Sequence, residues 1–203
     1  MLKSGIINSQ LLANLANLRH TDLLVIADAG LPVPRDVPTV DLAFTYGIPR
    51  FDDVLGAIVK EIAVEGALIA QEARDTEAER WVTENLGLSS GKLLSFYEAE
   101  RWAEGTLGIS YDLSDKILSS YEAKRKISPH SPGYNADGIP TLDKDDGLPH
   151  GAEVGWRKGS IAAPLLYAAH VDFKDLVRHA SFVVRTGEDT PYANVILRAG
   201  VPF

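Results

Sequence analysis

The run Leu23-Leu24-Val25-Ile26-Ala27 constrains this chain more than any other stretch. Five apolar residues in a row are too few for a helix and offer no polar side. They predict a short strand buried on both faces. Gly30, Pro32 and Pro34 follow at once and end regular structure, which places Asp28 where a buried strand opens into a loop. His20 comes just before the run. In open α/β sheets, ligands bind at the carboxyl ends of strands. Both residues also have a structural use, His20 capping a helix and Asp28 starting a turn. The stretch alone favours the structural uses.

Similar short runs recur, with helical patterns between them. Asn8 or Ser9 caps a helix to about Leu18, with Leu11, Leu12, Leu15 and Leu18 on one face. Val40, Leu42 and Phe44 alternate with Asp41, Ala43 and Thr45 as a second strand. Residues 51–62 carry Phe51, Val54, Leu55, Ile58 and Ile62 at helical spacing, with Asp52 and Asp53 in the first turn, where the dipole favours them. Val64–Ala70 fits a strand or a continuation of that helix, and 76–86 predicts a helix around Trp81 and Val82. Later, 161–169 predicts a strand, 171–180 a helix with Phe173, Leu176 and Val177 inward, and Phe182–Arg185 and 194–197 two more strands. The alternation predicts a single α/β domain, 1–203, with a mainly parallel sheet covered by helices.

Residues 87–160 are an insert within that domain. Helical patterns cover 92–104 and 114–127, and an irregular run punctuated by Pro and Gly follows. One expectation is a lid that stacks Tyr97, Trp102, Tyr134 or Trp156 on a ligand. The other is an elaboration of an oligomer surface. The insert re-enters at the far end of the strand leading to His170, about 30 Å away over nine extended residues, which favours the second.

Composition removes several classes of function. A net charge of −8 argues against a grip on nucleic acid phosphates or an anionic membrane. The absence of cysteine excludes thiolate metal sites, disulfides and cysteine nucleophiles. The apolar window 54–70 is broken by Lys60, Glu61 and Glu65, so no bilayer span is expected. The first residues lack the apolar core of a signal peptide, and a cytoplasmic protein is the expectation. Asp143, Asp145 and Asp146 resemble the start of a calcium loop, but Gly147 falls one place early and the closing Glu is missing. His130 and His150 lack close ligand spacing. No metal is expected.

The remaining polar residues suggest carbohydrate. His170 follows directly on the strand 161–169, and Lys174 lies one helical turn on. Tyr192 and Asn194, two apart at the start of the last strand, point to one side of the sheet. With His20 and Asp28 they offer imidazole, carboxylate, ammonium, phenol and carboxamide groups. A sugar is a ring of hydroxyls that needs both donors and acceptors. Each residue taken singly is more often structural.

Taken together in order, His-Thr-Asp (20–22), Asp-Ala-Gly-Leu-Pro (28–32), His-Val-Asp-Phe-Lys (170–174) and Arg-Thr-Gly-Glu-Asp-Thr-Pro-Tyr-Ala-Asn (185–194) resemble the D-ribose pyranase family. The closing Ala199-Gly200-Val201 fits as well. The related fucose mutarotases usually carry His after the Asp-Ala pair and Tyr-Gly-Asn near the end, so Gly30 and Ala193 place this chain on the ribose side. The resemblance implies interconversion of ribose pyranose and furanose rings without a cofactor. It makes His20 the proton donor, and gives Asp28, His170, Tyr192, Ala193 and Asn194 to substrate binding, with Lys174 a further contact. It also implies a ring-shaped homo-oligomer, commonly a decamer, with the site near a subunit boundary. Two alternatives stay open: a mutarotase for another sugar, and a non-catalytic sugar-binding or transport-accessory protein.

Two points strain the resemblance. A single strand between His20 and Asp28 separates them by roughly 20 Å, so one sugar reaches both only if the His20 loop folds back or two subunits share a site. Relatives usually have Gly before this histidine, where this chain has Arg19. A left-handed Arg19 costs about 1 kcal/mol.

Overall fold

The structure is a computed structural model that describes residues 2–88, 90–105 and 165–202, all within one compact unit. The helix expected over 114–127, the irregular run to 160 and residues 161–164 lie outside the described residues. So do His130, Tyr134, Asp143, Asp145, Asp146, His150 and Trp156.

Seven strands form one sheet: β1 (Leu23–Ala27), β2 (Thr39–Asp41), β3 (Val64–Ala70), β4 (Ser90–Leu93), β5 (Leu165–Ala168), β6 (Phe182–Arg185) and β7 (Val195–Ala199). Their order across the sheet is β2-β6-β1-β7-β3-β5-β4. Neighbours are parallel except at β7, which runs antiparallel to both β1 and β3. The sheet is therefore mixed and mostly parallel, with its one reversed strand in the middle. Every residue of β1 is buried, as its unbroken apolar run requires.

Alternation along the strands divides the core. Leu24, Ile26, Ala67, Ile69, Val195 and Leu197 pack under α1 (Ser9–Asn17), α2 (Phe51–Ile58) and α3 (Glu77–Leu86), against Leu11, Leu15, Phe51, Leu55, Ile58, Trp81 and Val82. The opposite face is covered by α4 (Phe96–Ala103) and α5 (His170–Leu176), whose Trp102, Phe173 and Leu176 are fully buried. Among the described residues no helix is long and apolar enough to cross a membrane.

Local chemistry sets the element ends, and several differ from the sequence expectation, among them the helix expected over 171–180, which spans His170–Leu176. Asn8 caps α1, its side chain accepting from the Leu11 amide at 2.9 Å. β2 stops at Asp41 because that carboxylate accepts the Ala43 amide and turns the chain, leaving Phe44 exposed. α2 ends at Ile58 rather than 62, where a turn from Glu61 N–H to Ile58 C=O redirects the chain into β3. The pattern at 92–104 splits: 90–93 become the edge strand β4, and Ser95 with Glu98 forms a capping box that starts α4. β7 runs from Val195 to Ala199, slightly later than 194–197. In the loop before β1 the left-handed residue is Thr21 (φ 72°), so Arg19 carries no such strain.

Leu24 lies at the centre of the larger core layer with no exposed surface. Leu24→Ala is expected to cost about 2–5 kcal/mol in urea unfolding, as a cavity in a close-packed core does.

Candidate functional site

β1, β3, β5 and β6 end at one edge of the sheet, and antiparallel β7 begins there. A cleft of about 340 Å³ opens at this edge, lined by Asp28, Tyr46, His170, Lys174, Tyr192 and Asn194 among others. Such an edge of a mostly parallel sheet is a natural ligand position.

Asp28 and Asn194 form its rigid base. The Asp28 amide donates to Asn194 Oδ1 at 2.9 Å, and Asn194 Nδ2 donates back to Asp28 Oδ2 at 2.6 Å. The other Asp28 oxygen accepts from the Gly30 amide at 2.9 Å. Each carboxylate oxygen keeps acceptor capacity after these bonds, so the group is aimed without being exhausted. Tyr192 adopts a left-handed backbone (φ 64°), and Asn194 N–H donates to Tyr192 C=O at 2.7 Å. This tight turn sends Ala193 into the core while its neighbours line the cleft.

His170 starts α5, one residue earlier than the sequence pattern suggested, and its amide donates to both oxygens of Glu72 at 3.2 and 2.9 Å. Glu72 thus caps a helix whose own N-cap residue, Ala169, has no side chain able to do so. The imidazole meets the Tyr192 ring edge-on, with centroids 5.0 Å apart and planes at 86°. Its Nδ1 is buried and has no partner among the described residues. Burial, then the Lys174 charge, pushes the His170 pKa below its usual 6.5 against the opposing pull of Glu72 and Asp28. A neutral imidazole between an ammonium and a carboxylate offers one donor and one acceptor.

The cleft loop is held from below by Glu188, which is almost wholly buried. Its carboxylate accepts from the Phe51 amide at the start of α2 at 3.1 Å, and from Thr190 Oγ1 at 2.7 Å. Its carbonyl accepts from the Ala29 amide at 2.8 Å. Burial works to raise the Glu188 pKa, but the bonds from Thr190 and Phe51, with Arg50 nearby, outweigh it and lower the value. Beside it, Gly187 sits so close to the Thr45 and Ile48 carbonyls that a Cβ would overlap them.

His20 lies at the opposite edge of the sheet. Its Nε2 is 2.9 Å from Glu65 Oε2, and the six extended steps from Asp22 to Asp28 amount to roughly 20 Å. The structure therefore brings Asp28, His170, Lys174, Tyr192 and Asn194 together and leaves His20 apart. Trp102 is fully buried against Arg198 and is not free to stack on a sugar, whereas Tyr97 is exposed. Sequence reasoning gave no role to Tyr46, Glu72 or Glu188. Glu188 stood inside the 185–194 motif, and its burial was the missing signal.

A carboxylate–carboxamide pair and a neutral imidazole at the strand ends of such a sheet define a small-ligand α/β protein. The chain belongs to the RbsD / FucU transport protein family, whose model matches residues 1–103 and 153–202. It is 34% identical over 203 residues to the D-ribose pyranase of Cutibacterium acnes, with all of both chains covered. It is 32% identical over 203 residues to that of Bacillus velezensis, again with both covered in full. The solved structure of Bacillus subtilis RbsD complexed with D-ribose matches with a TM-score of 0.59 and 29% identity, covering 100% of each chain.

The lowered His170 pKa has a stability consequence. The unfolded chain binds the proton more tightly, so the contribution is complete above about pH 6.5 and is lost as pH falls through the folded value. Thermal melts of His170→Asn, compared with the parent between pH 7.5 and 5, are expected to show a shallower loss of stability toward acid.

Proposed function

We propose that this chain interconverts the pyranose and furanose forms of D-ribose, or of a closely related aldose, by general acid–base ring opening. Asp28, His170, Lys174, Tyr192 and Asn194 hold the sugar, with Ala193 setting the turn between the last two, and His20 is the proton donor. The observation that carries this reading is the reciprocal Asp28–Asn194 pair facing His170 across the cleft, in a chain 34% identical to a D-ribose pyranase.

The chemistry asks little of the protein. Ring opening places one proton on the ring oxygen and removes one from the anomeric hydroxyl. The open-chain aldehyde turns, and a different hydroxyl closes on it. Only carbon–oxygen bonds change and no redox step occurs, so positioned acid–base groups worth about 10²–10⁴-fold suffice. Histidine suits the task because it gives and takes a proton near neutrality.

The separation of His20 from the cleft supports a shared site. In this reading the cleft of one subunit receives His20 from a neighbour, in a ring-shaped oligomer such as a decamer, and the enzyme works in the cytoplasm.

Saturation-transfer NMR with a panel of aldoses tests the proposal. Accelerated pyranose–furanose exchange is expected for ribose, reduced about 10²–10⁴-fold in His20→Ala. Asp28→Ala is expected to weaken ribose binding about 10–100-fold, the loss of one charge-assisted hydrogen bond. Exchange with another sugar alone makes the protein a different mutarotase. Binding without exchange for any sugar makes it a non-catalytic carrier.

A further inference from the structure

At the edge opposite the cleft, β3 opens with a bulge. Val64 pairs with Ala199 and Gly66 with Arg198, so two steps along β3 face one step along β7, and Glu65 is the additional residue. A bulge interrupts the alternation of a strand and re-aims a side chain. Here it delivers one carboxylate to two partners. Glu65 Oε2 lies 2.9 Å from Nε2 of His20, and Oε1 lies 2.9 Å from Nε of Arg198.

Arg198 is 6% exposed, on the sheet face covered by α4. Its Nη1 donates to the Trp102 carbonyl at 3.3 Å, and its guanidinium lies 6.0 Å from the Trp102 ring centroid. The contact with Glu65 is a close ion pair rather than an aligned hydrogen bond. A guanidinium this deep requires an anion beside it. One oxygen of that anion then faces His20.

The backbone around His20 is already pinned. Thr21 N–H donates to Ala199 C=O at 2.9 Å, and the Ala199 amide donates to Asp22 C=O at 2.8 Å. The other charged side chains of that loop are Arg19 and Asp22, and the Asp22 carboxylate accepts the Arg19 amide at 2.8 Å. What the loop leaves undetermined is the rotation of the imidazole, which is 53% exposed.

We propose that Glu65, clamped by Arg198, is the positioning residue for His20: it takes the Nε2–H and leaves Nδ1 as the nitrogen that serves the sugar. This rests on His20 being the proton donor. A carboxylate accepts and never donates when ionised, so the neutral imidazole beside it carries its hydrogen on Nε2. In the acid form Nδ1 is protonated too. That proton passes to the ring oxygen as the anomeric C–O bond breaks and its electron pair goes to the oxygen. The anomeric hydroxyl proton leaves to water, and the product is the open-chain aldehyde. The Nε2–H stays with Glu65 throughout, so the carboxylate orients the ring and faces the imidazolium charge, the role a carboxylate plays behind a catalytic histidine elsewhere.

The test uses the full chain, D-ribose and three variants, Glu65→Gln, His20→Ala and the double variant. Glu65→Gln is expected to slow exchange at saturating ribose by at least about tenfold. Half-saturation is expected to change less than about twofold, because Glu65 touches His20 and not the sugar. The double variant is expected to be no slower than His20→Ala alone. In the parent protein at alkaline pH, the imidazole ¹⁵N shifts of His20 are expected to report the Nε2–H form.

A dominant Nδ1–H form in the parent overturns the proposal even if the variants fold poorly. So does parental exchange in Glu65→Gln when His20→Ala is inactive, an outcome that leaves the proposed function standing. Equal losses of rate and affinity with a lowered melting temperature mark Glu65 as structural and also overturn it. Full exchange in His20→Ala overturns the proposed function itself, and the positioning role with it.

Discussion

The antiparallel pairing of β1 with β7 is the interaction on which the rest of the molecule depends. It joins the buried run that follows the first helix to the last strand of the sheet, with Leu23 opposite Arg198 and Ile26 opposite Val195. Past one end of the pair, Asp28 and Asn194 exchange hydrogen bonds and floor the cleft. Past the other, Thr21 and Asp22 bond to Ala199 and fix the loop that presents His20. A single strand pair thus sets both polar clusters and the distance between them. A shift of register by one residue would turn Arg198 to the other face of the sheet, away from Trp102 and α4.

The two clusters differ in electrostatic character. At the cleft, charges are screened from each other by hydrogen bonds to backbone amides: Asp28 to Gly30, Glu72 to His170, Glu188 to Phe51 and Thr190. At the far edge, one Glu65 oxygen meets an imidazole and the other a buried guanidinium. The first arrangement suits recognition of neutral hydroxyls, which need fixed donors and acceptors. The second suits a group whose charge changes during a reaction.

Much of this was legible in the sequence because burial on both faces leaves an unbroken apolar run. β1 and β6 stand out for that reason, amphipathic spacing revealed α1 and α2, and the run that becomes β3 fitted a strand or a continued helix equally. β4 was not legible, since Ser90-Gly91-Lys92-Leu93 has neither run nor period and becomes a strand only by pairing with β5. The reversed direction of β7 was hidden too, because direction in a sheet is set by tertiary pairing. The cleft residues could be found from their place at strand ends. Glu65 and Arg198 could not, since an acid and a base in two strands well apart in sequence look like solvent-facing positions until the bulge and the burial of Arg198 are known.

The position of β7 also bears on how the protein comes into being. On one side lie β2, β6 and β1, on the other β3, β5 and β4, and no strand of one group pairs with a strand of the other except through β7. Yet β7 is the last strand in chain order. Until it pairs, β1 and β3 each keep an open inner margin. Contacts of such long sequence separation make folding slow and leave unpaired margins exposed meanwhile. The same late closure joins the two polar clusters, so neither is complete before the sheet itself is.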